Sequence, residues 1–141
     1  IALLNKKNVL ASVIYDPIKD EMFYSEKGKG AFINNSRIRV SSNKNISNSV
    51  FVFERASLMR DFIDKSITSD DNNIRVLGSN CLDLANTASG RIDGYISDKL
   101  NDSKLSAGLL ILRESGGIKV NLNESKYSVM NNNLLAESIT G

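Results

Sequence analysis

Short runs of β-forming residues fill the first third of the chain: "IALL", "VLASVIYD", "EMFYSEKG", "GAFIN" and "RIRVS". Turn formers separate them, as "NKKN", "PIKD" and the triplet Asn34, Asn35, Ser36. Such runs predict antiparallel hairpins, so residues 1–53 are expected to form a meander. From residue 54 onward the period changes. In "RASLMRDFIDKSIT", Leu58 and Phe62, then Met59, Ile63 and Ile67, recur at three- and four-residue intervals, which predicts a helix with one apolar face. Ile74, Val76 and Leu77 suggest a short strand, "CLDLANTASG" a small helix closed by Gly90, and "DGYIS" another strand. The clearest helix is "DSKLSAGLLILRESGG", with Leu105, Leu109 and Leu112 on one stripe and Gly116 and Gly117 as its stop. "IKVNL" and "NLLAES" supply two further strands. Strands and helices alternating in this way are the grammar of a wound α/β layer. The expected fold class is α/β with layered elements: a meander (1–53) followed by a wound α/β part (54–141), within one domain over 1–141. The chain opens inside an apolar, strand-like segment without Met, which suggests a fragment.

Composition narrows the chemistry. With 141 residues, 41% hydrophobic and 24% charged, the chain matches an ordinary soluble domain. Its 18 basic residues are scattered among 16 acidic ones, so no stripe argues for a nucleic-acid footprint. A single cysteine, Cys81, cannot form an internal disulfide and is expected to be packed. A reducing compartment, the cytoplasm, follows as the natural expectation. The absence of histidine is the most informative count. It rules out Ser-His and Cys-His nucleophiles, His-ligated zinc and an imidazole base within this chain. Hydrolytic chemistry would have to run on carboxylates with hard cations, or on Lys, Ser and Tyr. No apolar run approaches the roughly 20 residues needed to span a bilayer, and no signal-peptide pattern opens the chain.

Four stretches carry candidate chemistry. "EKGKGAF" (26–32) offers glycines and lysines to a phosphate, but it lacks the spacing of a P-loop and is followed by a strand, so a tight hairpin turn is the better account. "DPIKDE" (16–21) gathers Asp16, Asp20 and Glu21 around the only proline; the choice is between a magnesium site and a routine turn, and the turn is favoured. "LGSNCLDL" (77–84) ends a strand and opens a helix, aiming N–H groups and short polar side chains toward the carboxyl ends of a sheet, where α/β folds bind ligands; a plain helix cap competes with that reading. In "ISDKLNDSKLSAGLLI" (96–111) the aspartates ahead of an apolar helix either cap it or hold a metal, with the cap favoured.

Taken in order, "ASVIYDPIKDEMFYSEKGKGAFINNSRIRVS", "RVLGSNCLDLANTASGRIDGYIS" and "SAGLLILRESGG" resemble the inositol monophosphatase family, particularly its bacterial extragenic suppressor branch. The resemblance covers essentially the whole chain but only the C-terminal half of that family. It implies the C-terminal portion of a layered α/β/α/β/α sugar-phosphatase sandwich and magnesium-dependent hydrolysis of a phosphomonoester such as inositol 1-phosphate. Magnesium chemistry of that kind is positioning plus electrostatics, and it needs no histidine. In the family, the metal-holding carboxylates come from two motifs upstream of this sequence and from a Trp-Asp pair at the start of the late helix. Counted back from "SAGLLILRESGG", the Trp position falls on Ser103 and the Asp position on Lys104, whose ammonium repels a metal. Asp102 would recover a ligand only in a different helix register. "DPIKDE" is no displaced copy, since Asp16 and Pro17 match a later hairpin and Lys19 stands where an acid is needed. Catalytic and metal residues are therefore expected to be absent, with no magnesium bound.

The substrate positions fare unevenly. Gly78, Ser79 and Asn80 match the family's sugar-phosphate turn, and Ser97 falls where a Glu often grips a ring hydroxyl. The resemblance thus implies a small phosphorylated polyol as ligand and an inactive phosphatase-like chain. Two alternatives are a non-catalytic module, since the suppressor branch is associated with RNA and the transcription machinery, and one half of a split phosphatase. Exposed edges and faces left by a missing half predict self-association or a covering partner.

Overall fold

Alternating burial in the first third builds an antiparallel sheet in chain order: β1 (Ala2–Asn5), β2 (Asn8–Asp16), β3 (Glu21–Glu26), β4 (Gly30–Ile33) and β5 (Ser36–Arg37). The computed structural model describes residues 1–63, 73–98, 103–123 and 126–130. On β2, Ser12, Ile14 and Asp16 are buried while Tyr15 is exposed. Across the β2–β3 ladder Ile14 faces Phe23 and Ser12 faces Ser25, and the two serine hydroxyls share a hydrogen bond of 2.9 Å. The expected turn at Asn34 and Asn35 has φ of 43° and 69°, the left-handed pair that a two-residue hairpin needs and that Asn tolerates.

The meander ends sooner than expected. Of "RIRVS" only Arg37 pairs, together with Ser36 from the expected turn, after which Ile38 turns into the core. Residues up to 53 do not all belong to the hairpins: β6 (Phe51–Phe53) enters a second sheet, where it runs parallel to both β7 (Ile74–Arg75) and β8 (Gly94–Ser97). With β9 (Ile118–Asn123) and β10 (Lys126–Met130) that sheet has the order β7-β6-β8-β10-β9, and β10 is antiparallel to both of its neighbours. The wound layer is therefore mixed rather than wholly parallel. Periodicity missed β10 and placed a strand at "NLLAES", which lies outside the described residues, as do Ile67 and Asp102. Val76 and Leu77, expected in a strand, fall outside β7 and are exposed.

Helix positions follow the apolar spacing more closely than helix starts do. α1 (Ala56–Ile63) and α3 (Ser106–Glu114) lie within the predicted segments, and α2 (Asn80–Ala88) starts one residue ahead of its own. The late helix begins with a 3-10 turn over Ser103–Leu105, and the N-cap of α3 is Leu105, with no side-chain cap bond. Leu105 thus offers α3 no side-chain cap, and Asp102, the residue ahead of the 3-10 turn on which the expected cap rests, lies outside the described residues. Its stripe also differs: Leu105 and Leu112 are buried as expected, but Leu109 is half-buried, and Ala107, Leu110 and Ile111 complete the buried face.

The layers follow from two apolar clusters. Ile14, Phe23 and Ala31 of the first sheet, Leu84 and Ala88 of α2, Ile111 of α3, and Val52 and Tyr95 of the second sheet form one continuous core, so α2 and α3 lie between the sheets. Phe51, Phe53 and Ile96 point to the opposite face of the second sheet, where Leu58 of α1 covers them. This sheet, helix, sheet, helix order is the α/β layering that the resemblance implies. α2 and α3 approach so closely that a Cβ on Gly108 would lie 2.7 Å from Leu84 Cδ1. Overpacking of that kind typically costs about 1–3 kcal/mol.

Candidate functional site

Parallel pairing brings the carboxyl ends of β6, β7 and β8 to one edge of the second sheet. The chain leaves β6 through α1 on one face and leaves β7 through α2 on the other, so the crossover direction reverses there. Such a reversal opens a crevice in which α/β folds place ligands. Glu54 stands one residue past β6, the turn Gly78–Ser79–Asn80 opens α2, and Ser97 ends β8.

Glu54 joins these elements. Its Oε2 accepts a hydrogen bond from Ser97 Oγ at 2.6 Å, and its Oε1 lies 3.5 Å from Asn80 Nδ2, at the limit of a hydrogen bond. Ser97 is wholly buried, and the Glu54 side chain is 6% exposed. Sequence reasoning singled out Ser97 and Asn80 but missed Glu54. The register Phe53↔Ile96 places Glu54 beside Ser97, a signal that appears only once the strands are paired.

The Gly78 turn stays open. Gly78 is exposed at φ +87° with nothing within 4 Å of the place a Cβ would occupy. Ser79 is the N-cap of α2 by backbone geometry, yet its side chain makes no cap bond. The plain-cap reading of this turn therefore fails for its side chain, and the first N–H groups of α2, at the positive end of the helix dipole, receive no side-chain cap.

Two buried polar groups lie beneath. Asp83, in the first turn of α2, is 1% exposed, and neither carboxylate oxygen has a hydrogen-bond partner. Burial pushes its pKa from 3.8 up to about 6, despite the favourable helix dipole. The Tyr95 hydroxyl, also buried, makes no hydrogen bond of good geometry among the described residues, and burial raises its pKa although Ser97 beside it acts in the opposite direction. Cys81, half-buried, packs against the same core as expected.

Next to the crevice, Arg55 grips Asp98 with both guanidinium arms, Nη1 to Oδ1 at 2.9 Å and Nη2 to Oδ2. Lys104 is exposed in the 3-10 turn ahead of α3. Among the described residues, no group of three or more His, Cys, Asp or Glu converges to hold a metal ion. The nearby carboxylates, Glu54 and Asp98, bind Ser97 and Arg55, and a cation stands at 104. The described residues do not fit a magnesium ion here.

Two other candidate stretches resolve locally. In "DPIKDE", Asp16 Oδ1 accepts from the N–H groups of Ile18 and Lys19 at 3.0 and 3.4 Å, Asp20 accepts from Tyr15 at 2.7 Å, and Glu21 forms a bidentate pair with Arg91. Each carboxylate serves the turn or its packing. "EKGKGAF" does cradle an anion, but that anion is Glu114 at the end of α3, which accepts from the N–H groups of Gly28 at 2.9 Å and Gly30 at 3.0 Å. No helix among the described residues is long and apolar enough to cross a membrane.

Comparison with known proteins places the fold and the edge in context. The chain is 33% identical to an inositol-1-monophosphatase of Mesorhizobium japonicum and to a Nus factor SuhB of Pasteurella multocida, in each case over 96% of this chain and 53% of the relative. Among solved structures, Thermotoga maritima IMPase superimposes with a TM-score of 0.81 at 31% identity, over 98% of this chain and 57% of that one. The extragenic suppressor protein SuhB of Bartonella henselae gives 0.78 at 31%, over 96% and 59%. The chain thus spans about half the length of the relatives it matches. Residues 1–140 match the model of the inositol monophosphatase family, and the chain belongs to that family.

Proposed function

We propose that this chain binds a small phosphorylated polyol at the carboxyl edge of β6, β7 and β8 without hydrolysing it by itself. The observation that carries this reading is the pairing of an open Gly78–Asn80 turn with Lys104 at the position where the family's metal-holding Asp is expected. The uncapped N–H groups at the start of α2 suit a phosphate. Asn80 and Ser97, both bonded to Glu54, put polar side chains at the strand end next to that turn. Lys104 adds positive charge, which favours the phosphate and disfavours the magnesium that would activate water. Calorimetric titration with inositol 1-phosphate should give saturable binding that does not require magnesium, while a phosphate-release assay stays at the buffer rate. Turnover at saturating magnesium would overturn the inactive reading, and absence of binding would overturn the ligand.

A second reading, in which a separate chain or another copy covers this one, is favoured by the outward face of the first sheet. Leu3, Tyr15 and Met22 are 60%, 50% and 46% exposed there, next to the stacked rings of Tyr24 and Phe32. Apolar exposure on that scale favours association. Light scattering should detect oligomers, and a monodisperse monomer at high concentration would contradict this. The Nus factor naming of relatives such as that of Pasteurella multocida is the support for a partner in the transcription machinery.

A further inference from the structure

A meander places alternate turns at the same edge of its sheet, and this one thereby sorts charge that is scattered along the sequence. The β2–β3 turn collects Asp16, Asp20 and Glu21 at one edge. At the opposite edge, the β1–β2 turn carries Lys6 and Lys7, and the β3–β4 turn carries Lys27 and Lys29. There, Lys7, Lys27 and Arg113 of α3 surround a cavity of about 230 Å³. All three are exposed, and none makes an ion pair among the described residues. The carboxylates beside them in sequence are committed elsewhere: Glu26 pairs with Lys29 at 2.7 Å, and Glu114 accepts from Gly28 and Gly30. Asn8 and Ser106 add polar residues to its lining, and Leu109 and Leu110 apolar ones.

We propose that this cavity is an anion site, separate from the Gly78 crevice, that takes the phosphate dianion of a small phosphomonoester. Three cations around one depression concentrate positive potential on a single point, which suits a compact dianion better than an extended backbone. At about 30 Å³ per water the volume holds a phosphoryl group and a few carbons, and it lies below the roughly 300 Å³ at which drug-sized ligands begin to be held. A polynucleotide would instead call for cations spread along a groove.

Residue-resolved NMR titration of the full chain at pH 8 tests this, with inorganic phosphate and glycerol phosphate as probes and sodium chloride at matched ionic strength as control. Saturable shifts are expected at the amides of Lys7, Asn8, Lys27 and Ser106, followed separately from those of Gly78–Asn80. The double variant Lys27→Gln, Arg113→Gln should weaken phosphate at this site by about tenfold or more. Lys27→Arg should retain it, and dispersed spectra of both variants establish that they fold. Shifts that chloride reproduces, that do not saturate, or that persist in the double variant would overturn the site. Single-stranded RNA moving the same amides at far lower concentration, with steep salt dependence, would overturn the small-ligand class in favour of nucleic acid.

Discussion

At the β3–β4 turn the N–H groups of Gly28 and Gly30 close on the Glu114 carboxylate, whereas at the start of α2 Gly78 is exposed and Ser79 makes no side-chain cap bond. Both turns use glycine at positive φ, 81° for Gly28 and 87° for Gly78, but only the first presents its N–H groups to an anion among the described residues. They differ in what the chain packs against them. Glu114 arrives from 86 residues away and fills the first. The second lies at a strand-end crevice where the nearby carboxylates are either committed, as Glu54 and Asp98 are, or buried without a partner, as Asp83 is. A glycine turn becomes a candidate site when the fold leaves it open, and local sequence does not report that.

The unpartnered carboxylate beside the open turn gives the largest expected effect. The pKa of folded Asp83, about 6, exceeds its ordinary 3.8, so the native chain holds a proton that the unfolded chain releases between about pH 4 and 6. Stability is therefore lost as pH rises through that window, by about 3 kcal/mol at 1.36 kcal/mol per pKa unit. Asp83→Asn should flatten the dependence and stabilise the protein at pH 8 while changing little near pH 4. Urea unfolding at both pH values measures it; equal stability of the native protein at pH 4 and 8 would mean that Asp83 finds a partner.

Opening the closed turn comes next. Glu114→Ala removes two bonds to a charged acceptor and strands the N–H groups of Gly28 and Gly30, at an expected cost of about 2 kcal/mol. Glu114→Gln, which keeps one acceptor, should lose less. A matched denaturation series separates them, and indifference to both changes would reduce Glu114 to a surface contact.

These contrasts also mark what a sequence reading reaches. The Asn34–Asn35 turn and the segments of α2, β8 and α3 were legible because their signals are local: turn chemistry, apolar spacing and terminal glycine. β6's place in the second sheet was not, since "FVF" reads alike in either sheet and only parallel pairing with β7 and β8 decides it. At the site, the Gly78–Asn80 turn was visible as a strand-to-helix junction and Ser97 only through a family resemblance, and the structure brings Asn80 and Ser97 together through Glu54, 26 and 43 residues away. No window along the chain contains that contact. The start of α3 was not legible either, since a 3-10 turn over Ser103–Leu105 precedes the helix that the apolar spacing marked.

The smallest expected effect on stability is the sharpest test of the comparison, because the two glycines are matched. Neither Gly28 nor Gly78 has an atom within 4 Å of a would-be Cβ, so alanine at either position meets only the left-handed backbone penalty, about 1 kcal/mol. Gly28→Ala and Gly78→Ala should therefore shift the unfolding midpoint by similar amounts. Their effects on ligand should part. Gly78→Ala strains the turn whose N–H groups are proposed to meet a sugar phosphate, and it should weaken inositol 1-phosphate in calorimetry several-fold. Gly28→Ala perturbs a turn already filled by Glu114 and should leave that affinity unchanged. Equal weakening in both would trace the loss to general destabilisation, and equal indifference would remove Gly78 from the site.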